Sequence, residues 1–282
     1  MRHNSVLIAL FSGAMLLSAC GEKTGEETVE RAFKDVNVID DANLNDIMLT
    51  VSDPNEAVSY FQRVAAEQPQ NIEFNRGLAL SLIRAKRHDE GAAAWRATAA
   101  LPNATNDDRV ELADALIRAG DWAGAEKTLS AIPPTHETFA RYRLEAIVAD
   151  SKQQWQKADS FYEIAVGLTT SPAPVLNNWG YSKLTRGDFK DAERLFTSAV
   201  NQDGTMFTAK NNLVLARGAQ RNYNIPVVPM DQTERAQLLH TMALSAIKQG
   251  DVETGKGLLR EAIDTHPQHF EAASRSLAAL EA

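Results

Sequence analysis

One cysteine, Cys20, is all that 282 residues provide. A chain with a single thiol closes no disulfide on itself, so its fold has to hold by packing alone. Aromatic residues are sparse, at 7%. Glycine and proline number only 15 and 10. Low-complexity and collagen-like classes are excluded by that composition. No dense run of lysine and arginine occurs. With 29 basic against 37 acidic residues the net charge is −8, which disfavours a nucleic-acid partner and reads as a solvated acidic surface. The one long apolar run, residues 6–17, is too short to span a bilayer. What is present, 44% hydrophobic and 23% charged residues, is the balance of an ordinary folded body.

The position of Cys20 accounts for it. Arg2 and His3 precede the apolar run, which ends in Leu17, Ser18, Ala19 and Cys20. That layout is a secretory signal over residues 1–19. Its end resembles the bacterial lipobox, in which small residues lie in a peptidase groove and the cysteine thiol becomes the attachment atom for lipid. The resemblance implies that Cys20 is the lipidated first residue of the mature chain. Several acyl chains on one residue anchor durably where a single chain is marginal. Gly21 stands where lipoproteins retained at the inner membrane often carry Asp, so the expected location is the outer membrane, facing the periplasm.

Beyond the anchor, small residues recur at a near-constant interval. Ala57, Gly91, Ala125, Ala158 and Ala192 are 34, 34, 33 and 34 positions apart. Twelve positions upstream of the last four run Ala79, Ala113, Ala146 and Gly180. Four positions after each member of the first ladder comes a large apolar residue: Phe61, Trp95, Leu129, Tyr162 and Phe196. A period of this length with two small rungs is a helix–turn–helix solenoid, each pair burying its face only against its neighbours. Where two helices cross closely a Cβ branch pushes them apart, so Ala or Gly sits there, and the bulky residue one turn later fills the adjacent space.

Read along the chain, residues 20–30 are a flexible tether and 31–52 an N-terminal cap with one short helix. A repeat array follows over 53–221, then an extended connection over 222–231, then a final pair and closing helix over 232–282. Asp53 and Pro54 start the first full helix of the array. Within the pairs, Gly120 and Gly187 supply the left-handed helix stop, and Asp121 and Asp188 are placed to cap the next start. After 201 the period breaks. Pro226 and Pro229 fall where a partner helix should centre, which favours extended chain instead. The expected architecture is all-α, a right-handed superhelix of about six helix pairs with a C-terminal closing helix.

Motifs for chemistry are weak. Residues 250–256 match the opening of a phosphate-binding loop, but Gly257 stands where a magnesium-holding Ser or Thr is needed and no strand precedes it. Gly250 and Gly255 fall on the repeat's own turn and crossing positions. His266 and His269 bracket Pro267 without a second pair of ligands, and structural zinc takes four. No nucleophile elbow, metalloprotease helix or paired-carboxylate arrangement stands out. The expectation is a non-enzymatic protein with no cofactor, metal or small-molecule substrate.

In such an array, residues two and three positions before the upstream small rung face the concave side. Arg76, Arg143, Asn178 and Asn212 fall there, with Tyr181 one turn further along. Asn178 and Asn212 are 34 apart and should stack on adjacent units. An asparagine amide both donates and accepts, which suits the backbone of an extended peptide, or it satisfies the neighbouring helix.

The stretch LNNWGYSKLTRGDFKDAERLF at 176–196 closely resembles the tetratricopeptide repeat (TPR). Together with AKNNLVLA at 209–216 and NVIDDANLNDIMLT at 37–50, it is similar to TadD-like lipoproteins of tight-adherence (Tad/Flp) pilus systems. That resemblance implies an outer-membrane lipoprotein that scaffolds assembly of the pilus secretion apparatus, assisting the secretin or another envelope component, with no catalytic residue to carry over. A TPR lipoprotein of another envelope complex, for outer-membrane protein insertion or regulation of cell-wall synthesis, stays open beside it.

Overall fold

A computed structural model describes residues 41–281. The signal segment, Cys20, the tether and the first part of the N-terminal cap lie outside the described residues. Fourteen helices follow one another with no strand among the described residues. They are α1 (Asp41–Thr50), α2 (Pro54–Glu67), α3 (Ile72–Arg84), α4 (His88–Thr98), α5 (Asn106–Arg118), α6 (Trp122–Ser130) and α7 (Phe139–Ser151). Then come α8 (Trp155–Gly167), α9 (Ala173–Thr185), α10 (Phe189–Gln202), α11 (Phe207–Ala219), α12 (Gln232–Lys248), α13 (Val252–Thr265) and α14 (Glu271–Glu281). Six antiparallel hairpins form, α1–α2, α3–α4, α5–α6, α7–α8, α9–α10 and α12–α13, while α11 stands without a helical partner and α14 closes the end. This is the α-solenoid that the period predicts.

Both ladders are interior. Ala57, Ala79, Ala113, Ala125, Ala146, Ala158 and Ala192 are wholly buried, and so are Phe61 and Phe196. At Gly180 a Cβ would sit 2.7 Å from Phe196 Cε1, and at Gly91 one would sit 2.5 Å from Ile83 Cδ1. The helices therefore approach too closely for even a methyl group there. Truncating Phe196 to alanine would leave a void and cost about 3–5 kcal/mol.

The turn that ends the first helix of each unit after α1 repeats as faithfully. Lys86, Gly120, Gln153, Gly187, Arg221 and Gly250 all have φ between 58° and 87°. The next amide then bonds back five positions, as Arg87 does to the Leu82 carbonyl (2.9 Å) and Asp188 to that of Lys183 (2.9 Å). That bond closes the left-handed helix stop and satisfies carbonyls the helix end would orphan. Only some expected aspartate caps form. Asp121 accepts from the Gly124 amide (2.8 Å), whereas Asp188 makes no cap bond and lies 3.4 Å from the Lys183 ammonium. Asp251 instead receives Tyr223 Oη–H and the Arg221 guanidinium.

α11 ends in this same turn, at Arg221, yet no second helix follows. Residues 222–231 run extended, held out of helix by Pro226 and Pro229. Val228 packs against the cores of α9, α10 and α11. Ile225 packs among α12, α13 and their neighbours, while Val227 points fully into solvent. The strap thus fills with Ile225, Pro226 and Val228 the space a helix would occupy. Val214, on the rung where other units carry Ala or Gly, is tolerated because no second helix crosses it there.

Three of the six turns place a side-chain-bearing residue in the left-handed region, where such a residue costs about 1–2 kcal/mol relative to a right-handed conformation. Gln153→Gly and Lys86→Gly should each raise stability by about 1 kcal/mol after allowing for the extra freedom of unfolded glycine. Gly187→Ala should lower it by a similar amount. Thermal melts followed by circular dichroism read all three.

Candidate functional site

The first helices of successive units lie on the inside of the solenoid's curve. α1 touches α3, α5 touches α7 and α9 touches α11 across the intervening helix, with no comparably close pairs among the second helices. Side chains from this inner row stitch unit to unit. Arg76 on α3 forms a bidentate pair with Asp108 at the start of α5 (2.6 and 2.8 Å) and also meets Glu73 (2.6 Å). Asp108 simultaneously accepts from the Thr105 amide (2.7 Å), so one carboxylate caps α5 and clamps α3. Arg143 on α7 reaches Asp114 on α5 (3.2 Å). Asp150 on α7 accepts from Ser182 on α9 (2.7 Å) and Tyr162 on α8 (2.9 Å). Further along, Asn212 donates to Asn177 (3.0 Å), Thr241 donates to Asn211 (2.8 Å), and His240 lies 3.3 Å from Ser276 on α14.

These bonds sort the residues expected on the concave side. Arg76 and Arg143 are there, but their guanidiniums are engaged by carboxylates of the neighbouring unit. Asn212 is only 8% exposed and its partner is Asn177, not Asn178. Side chains on a helix lean toward its N-terminus, which moves the meeting point one residue off the 34-residue register. Asn178 is half-buried and makes no hydrogen bond. Tyr181 is 55% exposed, a large apolar surface for a residue on an inner helix. Of the five, Asn178 and Tyr181 keep their groups open to a ligand.

Tyr181 belongs to a column that sequence reasoning saw only at that residue. The position just after each upstream rung holds Leu80, Asp114, Ile147, Tyr181, Leu215 and Leu244. Each lies one turn beyond a residue at which a unit meets its neighbour, such as Arg143, Asn177, Asn211 and His240, and so shares that face. Leu244 is 46% exposed. The signal was available, since the column keeps the repeat period as far as Leu215, but Asp114 interrupts its apolar run and the step to Leu244 is short.

Glu111, on α5 beside this column, is open to solvent and makes no hydrogen bond or ion pair. The surrounding protein nonetheless raises its carboxyl pKa, first by desolvation and then by the charge of Asp114. At Asp108 burial also pushes upward, but the bonds from Arg76 and Thr105 outweigh it and hold the carboxyl below its ordinary range. Among the described residues no group of three His, Cys, Asp or Glu could hold a metal ion, and no helix is long and apolar enough to cross a membrane. Gly250 is the hairpin turn before α13, and His266 stacks on Phe270 rather than turning toward His269.

The two carboxylates respond to pH with opposite sign. Glu111 has a folded pKa above its unfolded value, so its ionised form opposes folding at neutral pH, and that penalty fades as pH falls through the raised folded value and is gone below the ordinary carboxylate range. Glu111→Gln should therefore raise the melting temperature at pH 7 and have no effect near pH 3. Asp108 has a lowered pKa, so its contribution is present above the ordinary range and is lost as pH falls through the folded value. Asp108→Asn should lower the melting temperature at pH 7 and do so less in acid.

Residues 49–107 and 237–269 match family models described as tetratricopeptide repeat. Among curated proteins no significant match was found. Solved structures give the same fold. A chain of the APC/C hetero-tetramer Cut9–Hcn1 superposes with a TM-score of 0.60 at 12% identity, over 90% of this chain and 52% of that one. This chain therefore spans about half the length of that one. A tetratricopeptide repeat protein from Parabacteroides merdae gives 0.54 at 11% identity, over 91% of this chain and 98% of that one. The C-terminal part of a TPR repeat-containing protein from Cytophaga hutchinsonii gives 0.54 at 14%, over 82% and 97%. Identities this low speak for the fold alone. The matched repeats lie at the two ends of the array, and helix hairpins of the same kind run between them.

Proposed function

We propose that this protein is a non-enzymatic scaffold, held in the outer membrane by lipid on Cys20, whose concave face grips a protein component of the Tad/Flp pilus secretion apparatus and assists assembly of its secretin. The scaffold part rests on the repeat itself, a module of protein–protein interaction matched at both ends of the array. One observation carries the choice of face. Tyr181 and Leu244 expose large apolar surface on the inner row of helices, beside an Asn178 amide that no intramolecular bond uses. An intramolecular role would have buried both. The membrane and pilus parts rest on the signal-like leader ending at Cys20 and on the resemblance of residues 176–196, 209–216 and 37–50 to TadD-like lipoproteins.

Two measurements test the reading. Radiolabelled palmitate should enter the wild-type protein and not Cys20→Ser, and equal labelling of both would end the lipid-anchor claim. Deleting the gene should abolish surface pili and secretin multimers, and a chain carrying Tyr181→Asp and Leu244→Asp should accumulate normally without restoring them. Intact pili in the deletion strain, with defects in outer-membrane protein insertion or cell-wall synthesis instead, would move the protein to another envelope complex.

A further inference from the structure

The concave face is divided chemically, and the division specifies what fits it. On α9, α11 and α12 the column and its flanks are Asn177, Asn178, Tyr181, Asn211, Leu215 and Leu244, none of them charged. Of the charges these helices carry, all but Lys248, exposed at the end of α12 one turn past Leu244, are spent elsewhere. Lys183 pairs with Asp159 (3.1 Å), Lys210 with Glu234 (2.7 Å), Arg217 with Glu193 (2.8 Å) and Arg235 with Glu261 (2.7 Å). In a chain that is 23% charged, three consecutive units thus present an inner surface of apolar and amide groups, bounded beyond Leu244 by Lys248. Two units upstream, α5 presents carboxylates. Asp114 is matched by Arg118 (2.5 Å) and Arg143 (3.2 Å), and Asp107 lies 3.0 Å from His136 Nε2. Glu111 makes no ion pair, and the charges of Arg143 and Arg118 reach it only through space.

Deepening the reading that this face binds protein, we propose that its occupant is an extended partner segment whose contacting residues are uncharged and apolar, with a lysine or arginine at the end lying against Glu111. The cation supplies the charge that Glu111 lacks, in a concavity where desolvation strengthens the pairing. The apolar residues cover Ile147, Tyr181, Leu215 and Leu244, and the Asn178 amide bonds the segment's backbone. A second copy of this chain is a poor occupant. Its net charge of −8 would bring further negative charge to a carboxylate that already lacks an ion pair. Packed helices lie about 8–10 Å apart and an extended chain rises about 3.3 Å per residue, so one unit corresponds to about three residues of ligand. A cation against Glu111 then sets apolar positions about three, six, nine and twelve residues away, facing the column units in turn.

The test uses the folded chain lacking residues 1–20 together with fluorescent 15-residue peptides, read by anisotropy. One peptide carries Lys at one end and Leu at every third position among Ser, Thr and Gln. A second has the same residues in reverse order. In two controls Glu replaces the Lys, or Ser replaces every Leu. One orientation of the Lys–Leu peptide should bind at least tenfold more tightly than its Glu counterpart, with the advantage shrinking in high salt. Glu111→Gln should erase the Lys-over-Glu preference while leaving the apolar contribution. Tyr181→Asp with Leu244→Asp should weaken every Leu peptide at least tenfold with an unchanged thermal melt, as both residues are exposed. Equal affinity for Lys and Glu peptides, indifference to Tyr181→Asp, or no binding by any peptide would overturn the proposal. If these peptides fail while the Tyr181/Leu244 variant still loses pili in cells, the chemistry assigned to the occupant is wrong and the binding face is right.

Discussion

The close crossing of paired helices is the constraint on which the rest depends. At Gly180 the helix backbone comes so near Phe196 that a single added carbon would collide, and at Ala79, Ala113 and Ala146 the residual methyl is wholly buried. A short interhelical distance lets a bulky residue on the second helix, Phe61, Trp95, Leu129, Tyr162 or Phe196, plug the space beside each crossing. Because each unit buries its face against the next, the array adds units without a central core, and its seven clusters of buried residues follow one another along the chain. A long inner surface is the by-product of that stacking.

What the inner surface shows to solvent is decided by what its polar groups do to each other. The row from Arg76 to Ser276 joins successive first helices through charged pairs at one end and neutral amide and hydroxyl pairs at the other. Buried polar atoms have to be satisfied, so the residues that stitch neighbouring units are removed from the set available to a partner. What remains open is a smaller collection: Tyr181, Leu244, Asn178 and Glu111.

The sixth unit shows how the constraint is met when a helix is missing. Two prolines forbid the second helix, and the strap at 222–231 replaces its packing by inserting Ile225 toward α12 and α13 and Val228 toward α10 and α11. Arg221 and Tyr223 fasten the strap to Asp251 at the start of α13. The carboxylate that caps a helix elsewhere is diverted to hold extended chain, which is why Asp121 caps and Asp251 does not.

Sequence alone settled the class of fold, the hairpin period, the crossing residues and the break at Pro226, because each is local or strictly periodic. A Gly or Ala repeating every 34 positions has one steric explanation, and a proline pair has one conformational effect. Which inner-face residues stay free was not legible. Arg76 and Asn212 were as plausible as Asn178 and Tyr181 on spacing, and they differ only in what the neighbouring unit offers: Asp108 for one, Asn177 for the other, and nothing for Asn178. A hydrogen bond between side chains 32 or 35 residues apart depends on the curvature that sets two helices side by side and on the lean of side chains along them. Those quantities exist only once the units have stacked, so the tertiary structure decided the site.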